Sequence, residues 1–164
     1  MKSKKILIFS IIILLICTCT ESNFDGVDET TKWFQGGNNA GDKKEYDKAI
    51  ECYQKAIEIN PDFADAYYNM GIAYRHKENY DKAIECYQKV IEIDPEDADA
   101  YNNMGVAYCQ KGMKISAADY LYKAGLLYLE QNNRQLVLKT LDAMKNFTPD
   151  SPLIQRLMDK LYKE

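Results

Sequence analysis

The chain repeats itself with a period of 34 residues. Tyr46–Ala66 and Tyr80–Ala100 agree at 17 of 21 positions at that offset, and Ala64–Lys77 and Ala98–Lys111 agree at 10 of 14. A fixed period of this size is the mark of stacked supersecondary units. Each unit leaves an apolar face uncovered until a neighbour packs on it, so the units must lie side by side. At 164 residues the chain has room for about one ordinary domain of such units.

The period from Ala64 to Asp97 shows what one unit is. Tyr67, Met70, Gly71 and Tyr74 fall on one helical stripe, and Ala83, Tyr87 and Val90 fall on a second. Gly71 and Ala83 carry almost no side chain, so two helix backbones can approach there while tyrosines fill the space on either side. Glu78-Asn79 suits a short turn between them. Pro95 cannot continue a helix and disfavours one at Asp94. One period therefore reads helix, turn, helix, turn.

This pattern resembles the tetratricopeptide repeat, whose signature is aromatic-x2-apolar-Gly-x2-Tyr, then Ala-x3-aromatic, then Pro. The resemblance covers about residues 30–164 and is strongest over Tyr46–Tyr108. It implies an all-α fold, a right-handed α-solenoid of antiparallel helix hairpins with about eight helices and a C-terminal capping helix. The repeats are expected at 30–63, 64–97 and 98–131, followed by a divergent hairpin and cap over 132–164.

In the first repeat Trp33, Gly37, Tyr46, Ala49, Tyr53, Ala56 and Pro61 match. Gly36 and Ala40 do not, and Gly36, Gly37 and Gly41 each cost about 1 kcal/mol against alanine in a helix. The first helix is therefore expected to be frayed or short. In the third repeat no proline follows, so the helix from about Ser116 runs to about Gln131. It also carries a second register in which Gly125 takes the place of Gly71 and Leu141 that of Tyr87. Asn132-Asn133 reads as the next turn. Ser151-Pro152 reads as an N-cap and first helical residue, opening a helix whose apolar face is Leu153, Ile154, Leu157, Met158 and Leu161.

By repeat position, the resemblance implies a concave groove lined by the first helix of each pair, holding an extended peptide or a partner helix. Its lining would be Phe34, Asn38, Asp65, Tyr68, Asn69, Ile72, Arg75, His76, Asp99, Asn102, Asn103, Val106 and Gln110. Asparagine amides suit a peptide backbone because each offers donor and acceptor together. One subtype of the family clamps the C-terminal carboxylate of chaperones, with Lys and Asn in the first repeat, Asn in the second and two cations in the third. Asn38 and Asn69 match it, but the cation places hold Phe34, Asp99 and Asn103. Without those charges the carboxylate loses its main attraction, and that subtype is rejected.

The N-terminus reads separately. Lys2, Lys4 and Lys5 precede an apolar run from Ile6 to Ile16, the form of a secretory signal over residues 1–18. The run is too short to span a bilayer comfortably, which takes about 20 residues. Its end resembles a bacterial lipoprotein box, with Ile16 three places before Cys19 and Thr18 just before it. The resemblance implies lipidation at Cys19, with Cys17 the poorer fit because Ile16 is bulky. Several acyl chains, at about 0.8 kcal/mol per buried methylene, give lasting attachment. The competing readings are plain secretion and an uncleaved anchor. Removing residues 1–18 takes away three lysines and no acids, moving the net charge from −4 to −7. Residues 19–31 read as a flexible polar tether, leaving a repeat domain over 32–164.

No catalytic constellation stands out. His76 is the only histidine and has no Cys or acid at ligand spacing, so no metal is expected. Cys52 and Cys86 are repeat equivalents better suited to packing than to a disulfide, and Cys109 reads first as a small packing residue. There is no phosphate loop or nucleophile elbow, and no cofactor is implied. Charges of both signs are mixed with a net acidic balance, which argues against nucleic acid. The reading is a non-enzymatic protein-binding module lipid-anchored at the cell envelope, with a protein or peptide partner. The alternatives are a self-associating homo-oligomeric scaffold and an accessory lipoprotein of envelope assembly or secretion.

Overall fold

A computed structural model describes residues 28–163. Residues 1–27, which include the signal, Cys17 and Cys19, lie outside the described residues. The described residues form eight helices and no strand: α1 (Glu29–Asp42), α2 (Tyr46–Ile59), α3 (Ala64–His76), α4 (Tyr80–Ile93), α5 (Ala98–Gln110), α6 (Lys114–Glu130), α7 (Arg134–Phe147) and α8 (Leu153–Leu161). They make an all-α solenoid of helical hairpins.

The repeat chemistry appears three times in the same form. A Cβ built on Gly37 would sit 2.4 Å from the Tyr53 ring, on Gly71 2.7 Å from Tyr87, and on Gly105 2.7 Å from Leu121 Cγ. Each glycine is the floor of a hole that a large residue of the next helix fills. Tyr87 and Leu121, with Ala49, Ala83 and Ala117, are fully buried.

The turns repeat as well. Lys44, Glu78 and Gly112, each 34 residues apart, all have positive φ. In each turn a backbone N–H reaches back to the last turn of the helix: Glu45 to Ala40, Asn79 to Tyr74 and Met113 to Tyr108. This is the bond pattern of a left-handed helix C-terminus. The alternate turns differ, since α2 ends before Asn60-Pro61 and α4 before Asp94-Pro95.

Helix α6 begins two residues before the expected Ser116 and ends one residue before Gln131. It departs from the other second helices at its end. Asn132 has φ 55° and the Asn133 N–H bonds Tyr128 O, the close that otherwise follows a first helix. This is the physical content of its two registers. The second register does not carry over to packing, because Gly125 faces Leu157 of α8, at 2.4 Å from a built Cβ, and not Leu141.

Three expectations need correction. The tether does not extend to residue 31, because Asp28 accepts from the Thr31 N–H at 3.0 Å and starts α1 at Glu29. Helix α1 is not frayed: it runs 14 residues, since its glycines admit the Tyr53 ring and packing outweighs their poor propensity. At the far end, Ser151 Oγ accepts from the Leu153 N–H at 3.3 Å, but Pro152 is the cap and the helix begins one residue later, at Leu153.

Candidate functional site

Successive first helices touch: α1 meets α3, α3 meets α5 and α5 meets α7. The second helices α2, α4 and α6 make no such contact with one another. A stack in which one row is tighter than the other curves toward the tight row, so α1, α3, α5 and α7 form the inner wall. Helix α7 therefore extends a wall whose sequence-based lining stops at Gln110.

Two polar clusters lie along this wall. In the first, Asn38 Oδ1 accepts from the Tyr53 hydroxyl and from Asn69 Nδ2, both at 2.9 Å. Asn38, Asn69, Ile72 and His76 join Asp42, Tyr46 and Tyr53 around a cavity of about 280 Å³. His76 stacks on Tyr46 with ring centroids 4.9 Å apart and planes 3° from parallel. Burial, with help from Asp42, pushes the Tyr53 phenol up to about 12, so it stays a donor.

In the second cluster, Asn103 Nδ2 donates to the Tyr68 hydroxyl at 2.7 Å and to Asp99 O at 3.1 Å. The Tyr128 hydroxyl donates to Asp99 Oδ1. Burial, reinforced by Asp99 and Asp97, pushes Tyr68 up to about 12, and burial together with the bond to Asp99 raises Tyr128 strongly. Asp97 is raised too, by burial first and by Asp99 and Asp94 after the opposing bond from the Ala100 N–H. Asn102 stands beside Thr140 of α7, whose hydroxyl donates to Leu136 O at 2.9 Å.

The remaining wall positions are mixed. Phe34 is half-buried against Phe63 and Tyr53, at 4.8 and 5.9 Å between centroids, and serves as packing. Val106 packs on the C-terminal core. Asp65 and Gln110 are exposed. Arg75 is half-buried, and its Nε and the Tyr87 hydroxyl are buried with no partner among the described residues. Burial raises the Tyr87 phenol, with the Arg75 charge opposing.

Tyr46, Tyr53, Tyr128 and Thr140 belong to the wall but fell outside the sequence-based lining. The first three sit on second helices and reach inward with long side chains. One signal was available: Tyr53 lies at the position that fills the glycine hole, and a phenol there ends near the inner row.

Cys52, Cys86 and Cys109 are free thiols. Burial pushes Cys86 up to about 12 and Cys109 to about 11, which disfavours the reactive thiolate. Among the described residues no three or more His, Cys, Asp or Glu side chains converge as a metal site, and no helix is long and apolar enough to cross a membrane.

Family models described as tetratricopeptide repeat match residues 64–97 and 86–137, and one described as TPR repeat matches 37–77. A curated relative, an uncharacterised protein of Methanocaldococcus jannaschii, is 33% identical over 51 residues. The match covers 31% of this chain and 59% of that protein, so the chain spans less than two thirds of its length. Among solved structures, MamA is 35% identical with a TM-score of 0.62, over 63% of this chain and 60% of that one. The TPR domain of OM64 from Arabidopsis is 21% identical with a TM-score of 0.58, over 82% and 95%. The TPR2B-domain:pHsp70-complex of yeast Sti1 is 22% identical with a TM-score of 0.64, over 82% and 96%. The last two likenesses speak to the fold.

Proposed function

The chain belongs to the tetratricopeptide repeat family, and on that premise we propose that it is a non-enzymatic interaction module that binds an extended peptide or a partner helix along α1, α3, α5 and α7. The observation that carries this reading is the cavity at Asn38 and Asn69. Asn38 Oδ1 is saturated by Tyr53 and Asn69, which fixes the orientation of both amides. Among the described residues Asn38 Nδ2 and Asn69 Oδ1 then have no partner and stand ready as one donor and one acceptor. A peptide backbone offers the matching pair.

The C-terminal chaperone tails bound by one subtype of the family are not the expected ligand. Phe34 is packed in an aromatic cluster, Asp99 accepts from Tyr128 and Asn103 donates to Tyr68. None supplies the cation that a terminal carboxylate needs.

The test is Ile72→Arg, which fills the cavity from the wall; because Ile72 also packs on the core around Tyr87, helical content and melting point are read on the variant. Partners crosslinked to the full chain in its native cells should be lost with Ile72→Arg and kept with Glu51→Arg on an exposed position of α2. Equal recovery from both variants would remove the groove as the site. Asn69→Ala with Asn103→Ala should give a partial loss, because Asn103 is already engaged within the wall.

The envelope tether is part of the same proposal and is supported by the residue pattern from Lys2 to Cys19. Radioactive palmitate should label the chain, should fail to label Cys19→Ala, and should still label Cys17→Ala. Unchanged labelling of Cys19→Ala would overturn lipidation at Cys19.

A further inference from the structure

The third hairpin breaks the repeat at one edge, and the break makes a surface. In the first two hairpins the second residue of the second helix is acidic and reaches the following repeat: Asp47 pairs with Lys77, and Asp81 with Lys111. Ile115 takes that place in the third hairpin. It is 83% exposed, the most exposed large hydrophobic of the described residues. Met113 beside it and Phe147 at the end of α7 are also exposed.

Ile115 is itself one wall of a mostly apolar cavity of about 410 Å³ between the start of α6 and residues 148–153, which Ala118, Pro149 and Leu153 also line. A pocket of this size can take a bulky side chain. Lys114, Asp119 and Asp150 also line it. The face thus presents a knob, a hole, a cation and two acids side by side.

We propose that this face pairs with the same face of a second copy of the chain about a two-fold axis. In such a contact every group meets its complement on the other copy. Ile115 of each copy enters the other's cavity, and Lys114 of each meets the other's Asp119 and Asp150. A hetero-partner would need only the hole or only the knob, whereas both together with opposite rim charges are self-complementary. The contact so formed involves few residues on each copy, so the pairing belongs with weak, transient interfaces. None of these residues lines the cavity at Asn38 and Asn69.

The test uses the full chain with a photo-crosslinking benzoylphenylalanine at Met113, irradiated in the cells that produce it. Two differently tagged copies should be captured together in a product of twice the chain mass. Ile115→Asp, which restores the residue type of the first two hairpins, should abolish it. Lys114→Glu makes the rim wholly acidic, and Asp119→Lys with Asp150→Lys makes it wholly basic. Each variant alone should lose crosslinking by roughly tenfold or more, because like charges then face each other. Co-expression of the two should restore it. Helical content and melting point are read on every variant to show that it folds. Crosslinks only to other proteins, no crosslink at all, or charge variants that pair with themselves as well as the wild type would each overturn the proposal.

Discussion

Gly71 lies directly beneath the ring of Tyr87, so that a single added methyl group would stand 2.7 Å from Cε1 and 3.0 Å from Cζ. Tyr87 is fully buried and cannot swing aside. Gly71→Ala should therefore overpack the hairpin and cost about 1–3 kcal/mol. Gly36 is the contrast: its nearest neighbour would be Cys52 Sγ at 3.6 Å, an ordinary contact. Gly36→Ala should gain about 0.5–1 kcal/mol from helix propensity. Urea midpoints of the two variants should move in opposite directions.

Tyr53 and Tyr87 occupy equivalent positions but differ in their hydroxyls. Tyr53 donates to Asn38, whereas the residue equivalent to Asn38 in the next repeat is Ile72, and the Tyr87 hydroxyl is buried beside Arg75 without a well-formed hydrogen bond among the described residues. Tyr53→Phe should cost about 1 kcal/mol, and Tyr87→Phe should be neutral or slightly stabilising. Chemical denaturation of the pair checks this. Equal losses would mean that the Tyr87 hydroxyl is satisfied in solution.

The turns offer a backbone test. Glu78 has φ 59° and Gly112 φ 85° at equivalent turn positions. A left-handed residue with a side chain costs about 1–2 kcal/mol. Gly112→Ala should lose about 1 kcal/mol and Glu78→Gly should gain a similar amount, both read as shifts in melting temperature.

Alkaline titration should unfold the chain as its inner tyrosines ionise. The folded phenols of Tyr53 and Tyr68 are raised to about 12, from an ordinary value near 10. A group whose folded value is raised gives stability that is full below the unfolded value and lost as pH rises through the folded one. Stability should therefore fall between about pH 10 and 12, with tyrosinate absorbance from these residues appearing together with loss of helicity. Tyrosinate absorbance from Tyr53 and Tyr68 near pH 10 in a fully helical chain would contradict it.

Thiol labelling reports opening. Burial holds Cys86 near 12 and Cys109 near 11, so Cys86 should react with a maleimide only as fast as the hairpin opens, and Cys109 sooner because it is half-buried. A Cys86 rate equal to that of an exposed thiol would count against the packing at α4.

The hairpins were legible because their causes are local or strictly periodic. Tyr67, Gly71 and Tyr74 on one stripe, Ala83 and Tyr87 on the next, and Pro95 after them specify two helices and their close approach before any fold is known. Helix α1 was misjudged for the same reason. Propensity counts Gly36 and Gly37 as costs, while the gain from the Tyr53 ring comes from a residue 16 positions away from Gly37. At the wall, Asn38, Asn69, Ile72 and His76 could be placed on one face by repeat position. That Asn38 and Asn69 bond each other could not, because the repeat register puts Ile72 where Asn38 stands.

By itself, then, the sequence determined the unit and its period, since these follow from which positions are small, large or helix-breaking, while the row of helices that faces inward was implied only by the family resemblance. Only the tertiary structure decided which inward amides have no partner among the described residues, that α7 continues the wall, that Gly125 serves α8, and that Ile115 lines a cavity. Those outcomes depend on distances between side chains on different helices, and nothing in a linear pattern measures such distances.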